Sequence, residues 1–273
     1  MAVALQLDPV QALTRDLKTA SKTLTDDEAR FLVDTYYILQ GGRTRSDNQL
    51  RALAKNGEPG EVILWISGQC STLERSLRHA LDAYTKSHPM GAWMREIKGI
   101  GPVLSAGLLA HIDITKAAHV GHIYSFAGLA PGKVWKKGQK RPWNADLRKL
   151  CWLVGESFVK VSGKEDALYG RLYAEKKLQL VEQNEAGEFK EAAEHVLETK
   201  NIGKTTDAYK AYIKGKLPKA HVHARARRWT VKIFLAHLHQ RWYEQHFNKP
   251  APEPFPFAHL GHADKIEPPP FPE

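Results

Sequence analysis

The sequence predicts an all-α protein. Apolar residues recur at steps of three and four over long stretches, the period of a helix with one buried face. Capping residues, prolines and glycines punctuate those stretches where helices should begin and end. No alternating apolar–polar run reaches a useful strand length, and no repeat of solenoid period is present.

The first element is expected from Asp8-Pro9, a cap followed by proline at the first helical position, with Val10, Leu13 and Leu17 on one face. Thr25-Asp26-Asp27-Glu28 fits a capping box, so these acids are assigned to helix initiation rather than to a metal. The helix they start carries Phe31, Leu32, Tyr36 and Leu39, with Gly41-Gly42 as its expected stop and a shorter helix over 47–55 ending at Asn56-Gly57. A long helix follows over 61–86. Its Ile66, Cys70, Leu73, Leu77, Leu81 and Tyr84 form one stripe, which packs either inside the domain or against a second copy of the chain.

From His88-Pro89 to Pro131 the pattern changes to short helices joined by glycine turns. A basic segment, 133–149, leads into an apolar helix with Leu150, Leu153, Val154 and Phe158. Residues 163–200 read as charged helix with Leu168, Leu172, Leu178 and Val181 inward and a break at Gly187. A second basic stretch near Lys204 leads to a final helix over 220–247, with Trp229, Ile233 and Ala236, and with Leu235, Leu238 and Trp242, on its buried side. From Lys249 the proline density excludes helix and predicts an extended or disordered tail. The expected organisation is a helical region over 1–88, a core domain over 89–160, a charged helical region over 161–247 and a Pro-rich tail over 248–273.

Forty Lys and Arg against thirty Asp and Glu leave a formal charge of +10, which favours polyanionic partners and says nothing about fold. Cys70 and Cys151 lie in apolar helical stretches, without the spacing of a zinc site or a disulfide framework, and are expected in the core. No stretch approaches the ~20 apolar residues that span a bilayer, and the start lacks a secretion signal. A cytoplasmic protein is expected.

The most informative stretch is 95–112, REIKGIGPVLSAGLLAHI. A helix should end at Ile97, two glycines bracket the apolar Ile100, and Pro102 stands near the first position of a second helix, the pattern of a helix-hairpin-helix. Unpaired amides at the start of the second helix, its dipole and the absence of a Cβ suit a phosphate oxygen. Lys98, Gly99, Ile100 and Gly101 are therefore candidate DNA contacts, with a merely structural turn as the alternative. Ala106, Gly107 and Ala110 would let helices pack closely.

This hairpin, followed by FAGLAP at 126–131, resembles the C-terminal domain of insertion-sequence transposases of the bridge-RNA-guided kind, which pair a RuvC-like DEDD domain with a serine domain. The long helix over 61–86 stands where such proteins carry a coiled coil, and KRPWNADLRK at 140–149 is similar to their basic stretch. The likeness covers roughly the middle third of the chain. It implies DNA binding and a part in transposition or recombination. A serine nucleophile follows the AGLxP motif in that family, but 132–138 here read GKVWKKG; Ser125 and Ser157 match no family position, and 1–89 offer helices rather than acidic strands. No catalytic residue is assigned.

Lys133, Lys136, Lys137, Lys140, Arg141, Arg148 and Lys149 interleave with Trp135 and Trp143, which either stack on unpaired bases or anchor the core. Arg225, Arg227 and Arg228 on the final helix extend the candidate DNA surface. His221, His223, His237, His239 and His246 could line helix faces, but cations accompany them and no metal or other cofactor is assigned. The leading expectation is a DNA-binding protein, with RNA as another possible partner. A second reading is an active transposase or nuclease using Asp113, Asp146 and Glu156, and a third is a protein-interaction module.

Overall fold

The computed structural model describes residues 13–58, 60–132, 134–260 and 264–272. The expected helix start at Asp8-Pro9, Val10 and the candidate contact Lys133 lie outside the described residues. Among the described residues there are twelve α-helices and no strand, so the all-α reading holds. The chain forms two compact units, one drawn from Met1–Arg95, Gly101–Asp113 and Pro272–Glu273, the other from Glu96–Ile100 and Ile114–Phe271.

In the first unit, α1 (Arg15–Ala20) is capped by the Thr14 hydroxyl, which accepts from the Leu17 amide. Leu17, expected inward, is exposed. The capping box forms at the start of α2 (Asp26–Asn56): the Thr25 hydroxyl accepts from the Glu28 amide, and the Glu28 carboxylate accepts from the Thr25 amide at 2.8 Å. These hydrogen bonds hold the Glu28 carboxyl below its ordinary pKa.

Gly41-Gly42 does not stop this helix. α2 runs 31 residues through both glycines and absorbs the shorter helix expected over 47–55. A glycine inside a helix costs only about 1 kcal/mol, which packing recovers. Here Gly42 admits a close neighbour, since a Cβ on it would lie 3.4 Å from Cys70 Sγ on α3. The helix ends at Gly57, whose φ of 71° is the left-handed conformation that glycine accepts without strain.

Helix α3 (Glu61–Lys86) has the bounds the pattern predicts and packs extensively on α2. Arg43 Nε donates to Glu74 at 2.7 Å and Ser67 Oγ donates to Asp47 at 2.6 Å, fixing the register of the pair. The apolar stripe is buried at Leu81 and Tyr84 but exposed at Leu73 and Ile66. Beyond α4 (Pro89–Glu96), helix α5 (Pro102–His111) is buried from Pro102 to Ala110. Its small residues serve packing on α2 and α3, and the Arg30 guanidinium donates to the Ala110 carbonyl.

The second unit is built around α11 (Lys219–Phe247), which starts within a residue of its predicted position. Helices α6 (Val120–Phe126), α7 (Ala145–Lys160) and α8 (Leu168–Glu185) pack on it. Phe158, Tyr169 and Phe234 meet at the centre with ring centroids 4.8–5.5 Å apart. A second cluster, with Tyr173, Leu180, Phe189, Val196 and Tyr212, joins α8 to α9 (Lys190–Thr199), α10 (Asp207–Tyr212) and the start of α11.

Two expectations are corrected here. Leu178 and Val181 of α8 are exposed, and its inward side is instead Tyr169, Tyr173, Leu180 and Asn184. Asn184 can be inward because its amide pairs with both backbone groups of Leu217, at 2.9 and 2.7 Å, so no polar atom is stranded. The Pro-rich segment is neither helix-free nor loose. It contains α12 (Phe255–Leu260), with Pro254 before its start and Pro256 in its first turn, where no amide proton is needed. Its end is fastened to α11: Arg241 donates to the Pro268 and Pro269 carbonyls at 3.0 Å, and His237 Nε2 lies 2.7 Å from the Ile266 carbonyl.

Candidate nucleic-acid interface

Between α4 and α5 the chain turns tightly. Ile97 and Ile100 are buried, and the Ile100 amide donates to the Ile97 carbonyl at 2.9 Å. Gly99 has a φ of 100°, a conformation that side chains resist; a Cβ there would also meet Phe158 and Val161 at 3.4 Å. Gly101 differs: its φ is −90°, and nothing lies within 4 Å of where its Cβ would stand. The Ser157 hydroxyl of α7 donates to the Gly99 carbonyl and ties the turn to that helix.

No side chain caps the start of α5, and Pro102 opens it. Lys98 is exposed and its ammonium lies 2.8 Å from Asp166. The hydrogen bond from Lys98 holds the Asp166 carboxyl below its ordinary pKa. This pair is open to water on both sides, so its strength is small and a phosphate can compete for the lysine.

The AGLAP motif closes the base of the basic loop. Gly128, at φ 66°, lies against Trp143: a Cβ there would fall 2.7 Å from the indole. The Asn144 amide donates to the Phe126 carbonyl at 2.8 Å, while its side chain caps α7 by accepting from Leu147. Trp143 is thus a half-buried anchor. Trp135 is not: it is exposed, with Nε1 donating to the Gln139 carbonyl at 2.7 Å and the Arg141 guanidinium 5.3 Å from the indole. Lys136, Lys137, Lys140 and Arg141 all stand in the exposed part of the loop.

The structure brings Arg148 of α7 together with Arg225, Arg227 and Arg228 of α11. Arg148 lies 4.5 Å from the Trp143 ring and Arg225 lies 4.6 Å from the Phe189 ring. Arg227 pairs with Glu156 while its stem crosses Gly155 so closely that a Cβ there would fall 2.5 Å from Arg227 Cγ. Burial, and then the charges of Arg148, Arg227 and Arg225, push the Arg228 guanidinium below its ordinary pKa. Like charges gathered this way raise the local potential and call for an anion. Lys149 is exposed beside Arg148.

One residue of this surface was missed by the sequence reasoning. Trp152 on α7 is half exposed, and the Arg227 guanidinium lies 5.1 Å from its ring. A signal was there: the buried stripe Leu147, Leu150, Cys151, Val154, Phe158 leaves Trp152 out, one helical turn beyond Arg148.

Four of the five histidines of α11 are packed instead, while His246 is exposed. His221, His223 and His237 each place Nδ1 within 3.0 Å of a tyrosine hydroxyl, on Tyr212, Tyr173 and Tyr169, and His239 Nε2 lies 2.8 Å from the Ala117 carbonyl. Burial lowers the pKa of all four, that of His237 to about 4. Cys151 is buried, which pushes its thiol up to about 12. Glu156 is engaged by Arg227, and among the described residues no three His, Cys, Asp or Glu side chains converge as a metal site. No helix among them is long and apolar enough to cross a membrane.

Residues 92–166, less than half of the chain, match the family model described as Transposase IS116/IS110/IS902 family. The matched segment contains the turn, the AGLAP motif, the basic loop and α7. Neither the curated proteins nor the solved structures contain a match to the chain.

Proposed function

We propose that this chain is a transposase-related nucleic-acid-binding protein, with DNA as its first partner, acting in transposition or recombination. The observation that carries the reading is the arginine cluster: Arg148, Arg225 and Arg228 gather with Arg227, whose guanidinium lies over exposed Trp152, and the first three have no carboxylate partner of their own among the described residues. Phosphates are the anions such a surface fits, and the indole adds a platform for a base. The turn at 97–101 acts as a helix-hairpin-helix, whose exposed Lys98 holds backbone phosphate. The lysines of the basic loop extend the grip. These contacts position a nucleic acid without reading its sequence.

Anisotropy of labelled duplex across a salt series tests this. Arg148→Ala/Arg228→Ala should weaken binding about tenfold or more and reduce the log–log salt slope by roughly 0.9 for each phosphate that the variant no longer neutralises. An unchanged slope would remove the arginine face from the interface. A second, compatible reading concerns a second copy of the chain: Val62, Trp65, Ile66 and Leu73 of α3 are exposed, as are Phe31 and Ile38 of α2, and they form the surface on which two copies pack.

A further inference from the structure

Within the second unit, α6, α11 and the segment around α12 enclose a cleft of about 740 Å³. That is the size of small-molecule and cofactor sites. Its walls are mostly apolar, with Val120 from α6, Trp229, Ile233 and Ala236 from α11, and Phe257 from α12. Lys232 stands in the same wall. Its ammonium lies 4.9 Å from the Tyr124 ring, and the Tyr124 hydroxyl donates to the Lys232 carbonyl at 2.7 Å, which fixes α6 against α11. Among the described residues Lys232 makes no ion pair, although Glu253 also lines the cleft.

The helix period gives this arrangement a direction. Arg225, Arg228 and Lys232 follow one another at steps of three and four, so they form one cationic row along α11. Trp229, Ile233 and Ala236 form the adjoining row, which is the cleft wall. A polyanion held by the first row therefore runs beside the mouth of an apolar cleft that has room for a flat ring. A paired base cannot enter, because its neighbours and its partner hold it in the stack. An unpaired base can, with Trp229 and Tyr124 offering aromatic surface.

We propose that this cleft takes an unpaired nucleobase from a strand whose phosphates run along Arg225, Arg228 and Lys232. The inference rests on the nucleic-acid reading above and names the substrate class that this site selects. Burial and the neighbouring Arg228 charge push the Lys232 ammonium below its ordinary pKa, a cost that an arriving phosphate relieves.

The test compares two labelled duplexes of one sequence, fully paired or carrying a single bulged 2-aminopurine, on the full chain. Wild type should bind the bulged duplex about tenfold more tightly, with a change in 2-aminopurine emission. Ala236→Trp fills the cleft from α11 and leaves every cation in place. Ala258→Trp fills it from the exposed side of α12, and carries the comparison if the first variant loses helical circular dichroism. Both should abolish the preference while paired-duplex affinity stays within about twofold, since the phosphate contacts remain. A preference that survives filling, or a wild type that binds both duplexes equally, overturns the inference and leaves the nucleic-acid reading standing. A wild type that binds neither removes both.

Discussion

Gly99 and Gly101 flank the same buried isoleucine and have different reasons to be glycine. Gly99 is required by its own backbone, so any side chain there tests folding before it tests binding. Gly101 has an ordinary φ and open space around its missing Cβ, so the fold alone does not demand it. If the turn holds phosphate, the demand comes from the ligand. Gly101→Ala should leave the melting temperature within about 2 °C, as expected for a change whose added methyl meets nothing within 4 Å, and still weaken duplex binding about threefold to tenfold. Equal affinity with an intact fold would mean the turn is structural only. Asp166 offers the opposite sign. It occupies the ammonium of Lys98, in an exposed pair of small strength. Asp166→Asn frees the lysine and removes a charge that repels phosphate, so affinity should rise by about twofold to fivefold at low salt and converge with wild type as salt screens the difference.

At the scale of elements, the segment after α11 turns a sequence expectation around. Proline density correctly removes the tail from central helix, but it does not predict detachment. The tail makes its hydrogen bonds outward, through the Ile266 carbonyl to His237 and through two carbonyls that prolines keep to Arg241. This makes it pH-sensitive. Burial holds His237 neutral and lowers its pKa to about 4, against the opposing pull of its hydrogen bond to the Ile266 carbonyl. An unfolded chain would bind a proton at this histidine near pH 6.5, so below that pH the unfolded state holds more protons and stability falls. The decline continues until the native state protonates near 4, and amounts to at most about 3 kcal/mol from this group. The urea midpoint should therefore drop between pH 7 and pH 5, and drop less in His237→Gln, measured by circular dichroism. Helix α3 was legible to the residue, because its stripe and its flanking glycine agree. The continuity of α2 through Gly41-Gly42 was not, since that depends on packing against a different helix, α3. In the site, each cation was visible in the sequence. Their grouping was not, because it depends on how α7 packs on α11, where Arg227 crosses Gly155 and pairs with Glu156.

On the scale of the whole molecule, exposed apolar surface remains to be accounted for. Val62, Leu64, Trp65, Ile66 and Leu73 of α3, with Phe31 and Ile38 of α2, are each more than a third exposed. Isolated apolar residues on a surface need no explanation, but several along one pair of helices do. The ion pair of Arg43 with Glu74 and the Ser67–Asp47 hydrogen bond satisfy polar groups between α2 and α3, so the two helices form a finished layer with an unfinished outer face. On the two-copy reading a second copy would supply the same residues and complete it, since a two-fold contact is self-complementary. The +10 charge opposes close approach of two copies, so association should strengthen as salt rises from about 0.05 to 0.5 M, while nucleic-acid binding weakens over the same range. Those opposite slopes separate the two surfaces. Val62→Glu/Ile66→Glu should yield a monomer by sedimentation equilibrium, with helical content unchanged because both side chains already face water. If wild type is monomeric at micromolar concentration and high salt, the exposed face belongs to a different partner. If the variant stays dimeric, the two copies meet elsewhere on the chain. Because each copy carries its own arginine cluster, a dimer would present two of the proposed phosphate-binding faces, and the duplex affinity of the charged variant should fall only on DNA long enough to reach both.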